Sequence, residues 1–201
     1  MTLAPGNAQV LRGNGRFTAF LGHFDAGLAA LRRAVALDPL ARRSHSELGR
    51  ALYAARRYRE AAIAFGEAIS LDPEFKEAYG YRGLAFYAVG YVDRARASCE
   101  TQGEDWVSQW CLAVVYHKLG RHPDAEAKLA GMERVMGDAS AYTYCTIYAQ
   151  WGNLPTALEW LETATRLRDS RLGLLKTDPL LDPLRKEPRF QAVMRELKFP
   201  S

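Results

Sequence analysis

A tripeptide that ends in proline recurs at a fixed interval in the first part of the chain. LAP ends at Pro5, LDP ends at Pro39 and LDP ends again at Pro73, so successive prolines are 34 residues apart. A fixed period of about 20 to 50 residues indicates repeated structural units that stack side by side. One such unit cannot bury its apolar face alone, so neighbouring units must cover it. The spacing therefore predicts a solenoid.

The residues between these prolines resemble the tetratricopeptide repeat, whose pattern is W-x2-L-G-x2-Y, then A-x3-F, then a closing P. In the clearest unit the matching residues are Leu48, Gly49, Ala61, Phe65, Ala68 and Pro73. Four other units keep a frame of small residue, turn glycine and alanine, and some add an aromatic residue or a leucine. Their matching residues are Gly15, Gly22, Leu31, Ala34 and Pro39; Gly83, Phe86, Gly90 and Ala95; Ala113, Tyr116, Gly120 and Ala125; and Cys145, Tyr148, Gly152 and Ala157.

The resemblance implies an all-α fold, a right-handed α-solenoid of helix-turn-helix repeats with a C-terminal capping helix. We expect about five units, over residues 8–39, 42–73, 76–102, 106–132 and 138–168. Residues 1–7 are expected to be the end of a preceding repeat or disordered, and residues 169–201 a capping segment. The turn glycines should cap each first helix in the left-handed conformation that glycine adopts readily.

The last thirty residues differ in character from the repeats. Pro188 suits the first turn of a helix, and Phe190, Val193, Met194 and Leu197 follow at i, i+3, i+4 and i+7 spacing. This stripe predicts an amphipathic capping helix. The DPLLDPLR and EPRFQ segments also resemble the end of repeat regions in bacterial multidomain regulatory proteins of the adenylate cyclase, winged-helix or kinase type.

The LAP at Pro5 sits where a preceding repeat would finish, so the array is expected to begin in mid-repeat. We therefore expect the C-terminal regulatory part of a longer protein, or a protein whose first repeat is covered by a partner. Two alternatives stay open. One is a homodimerisation module that uses the uncapped first repeat, and the other is the non-catalytic repeat region of an enzyme whose catalytic domain lies elsewhere.

Motifs for chemistry are lacking in the sequence, so we expect no enzyme, no cofactor and no metal. The four histidines form no HxxxH pair, and no GxSxG, P-loop or GxGxxG occurs. Cys99 and Cys145 fall at packing positions, where a free cysteine behaves as a small apolar residue. An odd count of three cysteines favours a reducing compartment. Without a signal peptide or a long apolar run, we expect a cytoplasmic protein.

Tetratricopeptide repeats bind partners on a concave surface formed mostly by their first helices, and the resemblance implies a peptide-binding groove here. The positions that carry over are Arg12, Arg16, Phe20, Ser46, Arg50, Tyr53, Tyr87, Trp110, Val114, His117, Lys118, Tyr142, Thr146 and Gln150. The groove is basic at its start and aromatic towards its end, which suits a peptide with an acidic part and apolar anchors. Trp110 and Tyr142 could equally be core residues.

Charge is concentrated at the start of the chain. Residues 1–60 hold ten arginines against four acidic residues, whereas the whole chain has a net charge of +4. Such asymmetry favours acidic partners at one end, although a solvated arginine face would look the same. The lysine and asparagine clamp that grips chaperone tails in this family is not reproduced at Arg12, Arg16, Ser46 and Arg50. Nucleic acid is not expected as a partner, since only the arginines suggest it.

Overall fold

The computed structural model of the protein describes residues 7–199, and within that range the chain forms eleven α-helices and three short 3-10 helices. The prediction for Pro5 lies outside the described residues. The α-helices are α1 (Ala8–Phe20), α2 (Phe24–Leu37), α3 (Arg42–Ala54), α4 (Tyr58–Leu71), α5 (Glu77–Val89), α6 (Val92–Glu100), α7 (Trp106–Lys118), α8 (His122–Met136), α9 (Ala141–Gln150), α10 (Leu154–Leu167) and α11 (Pro188–Glu196). The 3-10 helices span Gly137–Ser140, Ser170–Leu174 and Pro179–Leu184.

The first ten helices pack in consecutive pairs, α1 with α2 through to α9 with α10. The first helix of each pair also contacts the first helix of the next pair, so that α1, α3, α5, α7 and α9 form a continuous inner row. We call the surface of this row the inner face. The arrangement confirms the predicted all-α solenoid.

Close approach within a pair depends on a small residue in the first helix. A Cβ atom added at Gly49 would lie 2.9 Å from the ring of Phe65, which is fully buried on α4. Non-bonded carbon atoms do not approach each other so closely. A larger residue at this position would therefore push α3 away from α4. Gly49 and Phe65, both matched to the repeat pattern in the sequence, are therefore packing partners between the two helices of this pair.

The third pair uses sulfur in place of that aromatic ring. Cys99 of α6 and Cys111 of α7 form a disulfide, and both sulfur atoms lie against Gly83. The expectation that Cys99 is a free, buried thiol was therefore wrong, and only Cys145 stays unbonded. Pairing arises because the short α6 holds a cysteine where Phe65 stands in the preceding unit, directly beside α7.

The turns after the first helices follow the glycine prediction at four of five places. Gly22, Gly90, Gly120 and Gly152 all have positive φ angles, between 74° and 96°. Arg56 occupies the remaining place, 34 residues from both Gly22 and Gly90, and it too has a positive φ, of 64°. A non-glycine residue in this conformation costs roughly 1 kcal/mol.

The C-terminal part does more than cap the last repeat. Phe190 and Val193 of α11 are buried in the core that includes α10, as the predicted amphipathic helix requires. Residues 170–184, which we call the return segment, instead fold back over the inner row. Leu181 and Leu184 of this segment are fully buried. The return segment therefore completes the core of the final repeats.

Candidate functional site

The early part of the inner face is open and basic. Arg12 and Arg16 project from α1, and Phe20 and Arg50 are only half-buried at the ends of α1 and α3. Arg16 is half exposed and lies 3.6 Å from Glu47, a pairing too long and too exposed to neutralise it fully. Side chains on this part of the face are therefore free to meet a partner.

The late part of the inner face is covered by the return segment. The hydroxyl group of Tyr142 donates a hydrogen bond of 3.0 Å to the carboxylate of Asp178. The side-chain amide of Gln150 donates to the carbonyl of Leu180 at 2.7 Å and accepts from Tyr87 at 2.9 Å. Two predicted groove residues thus hold a segment of their own chain.

Asp178 is the most deeply buried carboxylate in this contact. Burial raises its pKa, and hydrogen bonds from the backbone of Leu180 and from Tyr142 act in the opposite direction. The same burial raises the pKa of the Tyr142 hydroxyl, which keeps it protonated as a donor. The return segment is therefore tied to α9 by a buried, directional hydrogen bond.

The return segment also reaches the early repeats. Arg56, at the end of α3, forms a 2.7 Å ion pair with Asp182, and Arg185 contacts the same carboxylate at 2.7 Å. Lys176 lies beside Gly22, at the turn after α1. These contacts span the inner row from the last pair of helices to the first.

Several other predicted groove residues lie within the core. Trp110 and Thr146 are buried and joined by a 2.9 Å hydrogen bond from the indole nitrogen to the hydroxyl oxygen. Val114 and Ser46 are also buried. Of the two readings left open for Trp110 and Tyr142, the structure places both side chains in the core.

The remaining predicted residues stand at the rim. His117 stacks on Trp151 with the ring centroids 5.1 Å apart, and burial together with His122 lowers the pKa of its imidazole. Lys118 is exposed at the end of α7, and Tyr87 is held by Gln150. The structure does not bring these three together with Arg12 and Arg16.

A cavity of about 340 Å³ separates the open part of the inner face from the covered part. Its walls come from five inner helices on one side and from the return segment on the other. The inner-row residues at the cavity include Phe20, Arg50, Tyr53, Tyr81, Trp110 and Tyr142; the return segment contributes Ser170, Arg171, Leu174, Thr177, Asp178 and Pro179.

Sequence reasoning missed the return segment and the cavity residues Glu77, Tyr81 and Trp106. A signal was present in α7, where nine of thirteen residues are buried, and in α9, where residues 141–147 are all buried. A helix that is apolar on every side must be covered on every side. The repeat spacing alone does not predict the segment that packs over α7 and α9, because the repeat pattern specifies only the residues that face the neighbouring helices of the array.

Within residues 7–199, no group of three or more candidate metal ligands occurs. In the same range no helix is long and apolar enough to cross a membrane.

Arg171, in the return segment, lies over the ring of Trp106 at 5.5 Å. It also forms an ion pair with Asp169 and donates hydrogen bonds to Thr143 and Ser140. Its charge is therefore already engaged.

Comparison with known proteins supports the repeat. A family model described as tetratricopeptide repeat matches residues 18–69 and 46–101. PilF of Pseudomonas aeruginosa aligns with a TM-score of 0.59 at 13% identity, over 94% of this chain and 97% of that one. YrrB, described as a TPR protein with an unusual peptide-binding site, aligns with a TM-score of 0.53 at 15% identity, over 96% of this chain and 94% of its own.

A tetratricopeptide repeat protein from Parabacteroides merdae aligns with a TM-score of 0.54 at 15% identity, over 94% of this chain and 78% of that one. No curated protein sequence matches this chain. At such low identities the structural likeness concerns the fold alone.

Proposed function

We propose that the protein, in which residues 18–101 match the tetratricopeptide-repeat family model, is a non-catalytic interaction scaffold for an acidic peptide segment with apolar anchors. Repeats of this family generally mediate protein–protein interaction. The proposed contacts are the early inner-face residues, with Arg12 and Arg16 for carboxylates and Phe20 for an apolar anchor. Arginine favours carboxylates because its guanidinium group can donate two parallel hydrogen bonds.

The single observation that carries this proposal is the division of the inner face. The return segment covers the predicted contacts Tyr142 and Gln150 on α9, whereas Arg12 and Arg16 stay accessible. The accessible part also lies in the basic part of the chain, since residues 1–60 hold ten arginines against four carboxylates. A partner that approaches the open part therefore meets a positive field.

The test is selection of a random twelve-residue peptide library on the immobilised full chain, followed by titration of the enriched peptides. We expect acidic sequences with one or two large apolar residues. The double variant Arg12→Glu with Arg16→Glu should weaken their binding at least about tenfold, since charged hydrogen bonds contribute about 1.5 to 3 kcal/mol each.

The matched control for this selection is Arg33→Glu with Arg166→Glu, which changes net charge equally at exposed positions of α2 and α10. Peptides should bind this control as they bind the unaltered chain. Neutral enriched sequences, or equal losses in both double variants, would rule out the basic inner face as the contact.

Self-association is a second candidate, favoured by Phe17 of α1, which is 64% exposed. An exposed phenylalanine on the first helix could pack against a second copy. Light scattering at several concentrations would then show a dimer that Phe17→Ser dissociates. A monomer at every concentration would exclude this candidate.

A role as the regulatory part of a longer protein is also proposed, on the DPLLDPLR and EPRFQ resemblance. The encoding gene tests this directly. An upstream cyclase, winged-helix or kinase domain in the same reading frame would support it, and an in-frame stop codon before Met1 would refute it.

A further inference from the structure

The cavity beneath the return segment has the dimensions of a small-molecule site. Its volume of about 340 Å³ lies within the range of about 300 to 1,000 Å³ typical of ligand pockets. Apolar and aromatic side chains make up most of its wall, with a small number of charged groups. This combination is also typical of such sites, because apolar walls supply affinity and few polar groups fix orientation.

Aromatic rings form one rigid side of the cavity. Trp106 and Trp110 stack with an interplanar angle of 3° and a centroid separation of 6.2 Å, and Tyr81 meets Trp110 edge-on at 6.4 Å. Rings held in this way present flat apolar surface without needing to be ordered on binding. An aromatic or branched aliphatic group would fit against them.

Three polar groups at the cavity lack partners within the described chain. Arg50 stacks over Tyr81 at 4.9 Å but forms no salt bridge or hydrogen bond there, and Glu77 likewise has none. The hydroxyl group of Tyr53 is buried without a hydrogen-bond partner. A buried polar group left unpaired destabilises the folded chain, so a ligand that pairs with the Tyr53 hydroxyl supplies the missing hydrogen bond.

The charges of Arg50 and Glu77 are opposite and close enough to influence each other. Burial raises the pKa of the Glu77 carboxyl, while Arg50 opposes that shift. A simple anion near Arg50 would be repelled by Glu77 and Glu47, and a simple cation near Glu77 would be repelled by Arg50. A ligand that carries both charges satisfies the two groups together.

We propose that this cavity binds a free apolar or aromatic α-amino acid. Its carboxylate would accept hydrogen bonds from Arg50 and Tyr53, its ammonium group would donate to Glu77, and its side chain would lie against Trp106 and Trp110. This inference does not depend on the proposed peptide scaffold, because Arg12 and Arg16 do not line the cavity.

Such a ligand would also act on the return segment. Leu174, Thr177 and Pro179 form the opposite wall, so an amino acid in the cavity contacts both the repeats and the segment that folds over them. A ligand that binds only when the return segment lies over the inner row stabilises that folded arrangement by mass action. Amino-acid binding should therefore raise the melting temperature of the full chain.

Calorimetric titration of the full chain with L-phenylalanine, L-tryptophan and L-leucine tests the proposal. The comparison compounds are N-acetyl-L-phenylalanine, which lacks the ammonium group, L-phenylalaninamide, which lacks the carboxylate, and glycine, which lacks the apolar group. We expect L-phenylalanine to bind at least about tenfold more tightly than each of them.

Two variants connect the binding to the named residues. Glu77→Gln should abolish the preference for L-phenylalanine over its N-acetyl form, and Arg50→Gln should abolish the preference over its amide. Arg33→Gln, at an exposed position of α2, is the matched control and should alter neither ratio. Ratios of affinities are used because partial unfolding lowers all affinities together and leaves a ratio unchanged.

Absence of binding by all three amino acids at about 10 mM overturns the proposal. Equal binding of the N-acetyl or amide form does the same, because it removes one of the two charge contacts. Binding that persists unchanged in both cavity variants would place the ligand elsewhere and would also overturn it.

Discussion

Helices α3 and α9 occupy the same place in their repeats but differ in what lies over them. On α3 the inner residue Arg50 is only half-buried and borders an open cavity, whereas every residue from 141 to 147 of α9 is buried. The return segment accounts for this difference, since it packs on α9 and only touches the end of α3 through Arg56. A helical repeat array can thus turn part of its inner face into core.

The largest expected effect tests whether the return segment is truly core. Leu181 is fully buried among the side chains of the last repeats, so Leu181→Ala should lower the free energy of unfolding by about 2 to 5 kcal/mol. Urea denaturation measures this. Leu40→Ala, at a position 78% exposed in the early repeats, is the control and should change stability by less than about 0.5 kcal/mol. Equal losses of stability in Leu181→Ala and Leu40→Ala would show that the return segment is not part of the core.

The disulfide joins α6 to α7, between the early and the late repeats, and its loss should have the second largest effect on the free energy of unfolding. It closes a loop with a sequence separation of 12, so Cys99→Ala with Cys111→Ala should lower the free energy of unfolding by about 2 to 4 kcal/mol. A reducing agent should destabilise the unaltered chain but not this variant. Identical urea curves for the unaltered chain with and without reductant would contradict a stabilising bond.

Tyr142→Phe tests the hydrogen bond that ties the return segment to α9. Removal of the hydroxyl donor leaves Asp178 less satisfied in a buried place, which should lower the free energy of unfolding by about 1 to 3 kcal/mol at neutral pH. Tyr148→Phe is the control, because no hydrogen bond to the Tyr148 hydroxyl occurs within the described residues, and it should be nearly neutral.

The same variant has a pH dependence with a definite sign. Burial raises the folded-state pKa of Asp178 above its unfolded value, so the folded state binds this proton more tightly and gains stability as the pH falls. A protonated carboxyl also needs the Tyr142 donor less. The difference in free energy of unfolding between the unaltered chain and Tyr142→Phe should therefore become smaller as the pH falls from about 7 to about 4. A difference that widened would contradict this assignment.

The smallest expected effect concerns Arg56 and Asp182. This exposed ion pair should show a coupling energy of about 0.2 to 1 kcal/mol in a double-mutant cycle of Arg56→Gly and Asp182→Asn. Arg56→Gly alone should be nearly neutral, because relief of the positive φ offsets the lost ion pair. Zero coupling in the cycle would show that this ion pair does not help to hold the early repeats to the return segment.

The sequence predicted the repeat and much of its packing because those features depend on local spacing. Gly49 and Phe65 meet through the geometry of one helix pair, and the turn glycines need only their own backbone conformation. The capping helix followed from the spacing of Phe190 and Val193.

The rest depends on contacts between residues far apart in the chain. Asp182 meets Arg56 across a sequence separation of 126, and no local pattern in either segment specifies that encounter. Cys99 and Cys111 are close in sequence, but their pairing required knowing how closely α6 approaches α7. The cavity likewise exists only because the return segment crosses the inner row, so Glu77 and Trp106 could not be recognised as its lining.

The contact between Arg56 and Asp182 also bears on how the molecule is made. Ordinary repeat arrays contain only neighbouring contacts, so each unit can fold as soon as it and its neighbour have been synthesised. Here the early units gain a contact from a residue 126 positions later in the sequence, and long-range closure of this kind slows the final step of folding. A nascent chain must therefore expose the inner faces of α7 and α9 until the return segment has been synthesised.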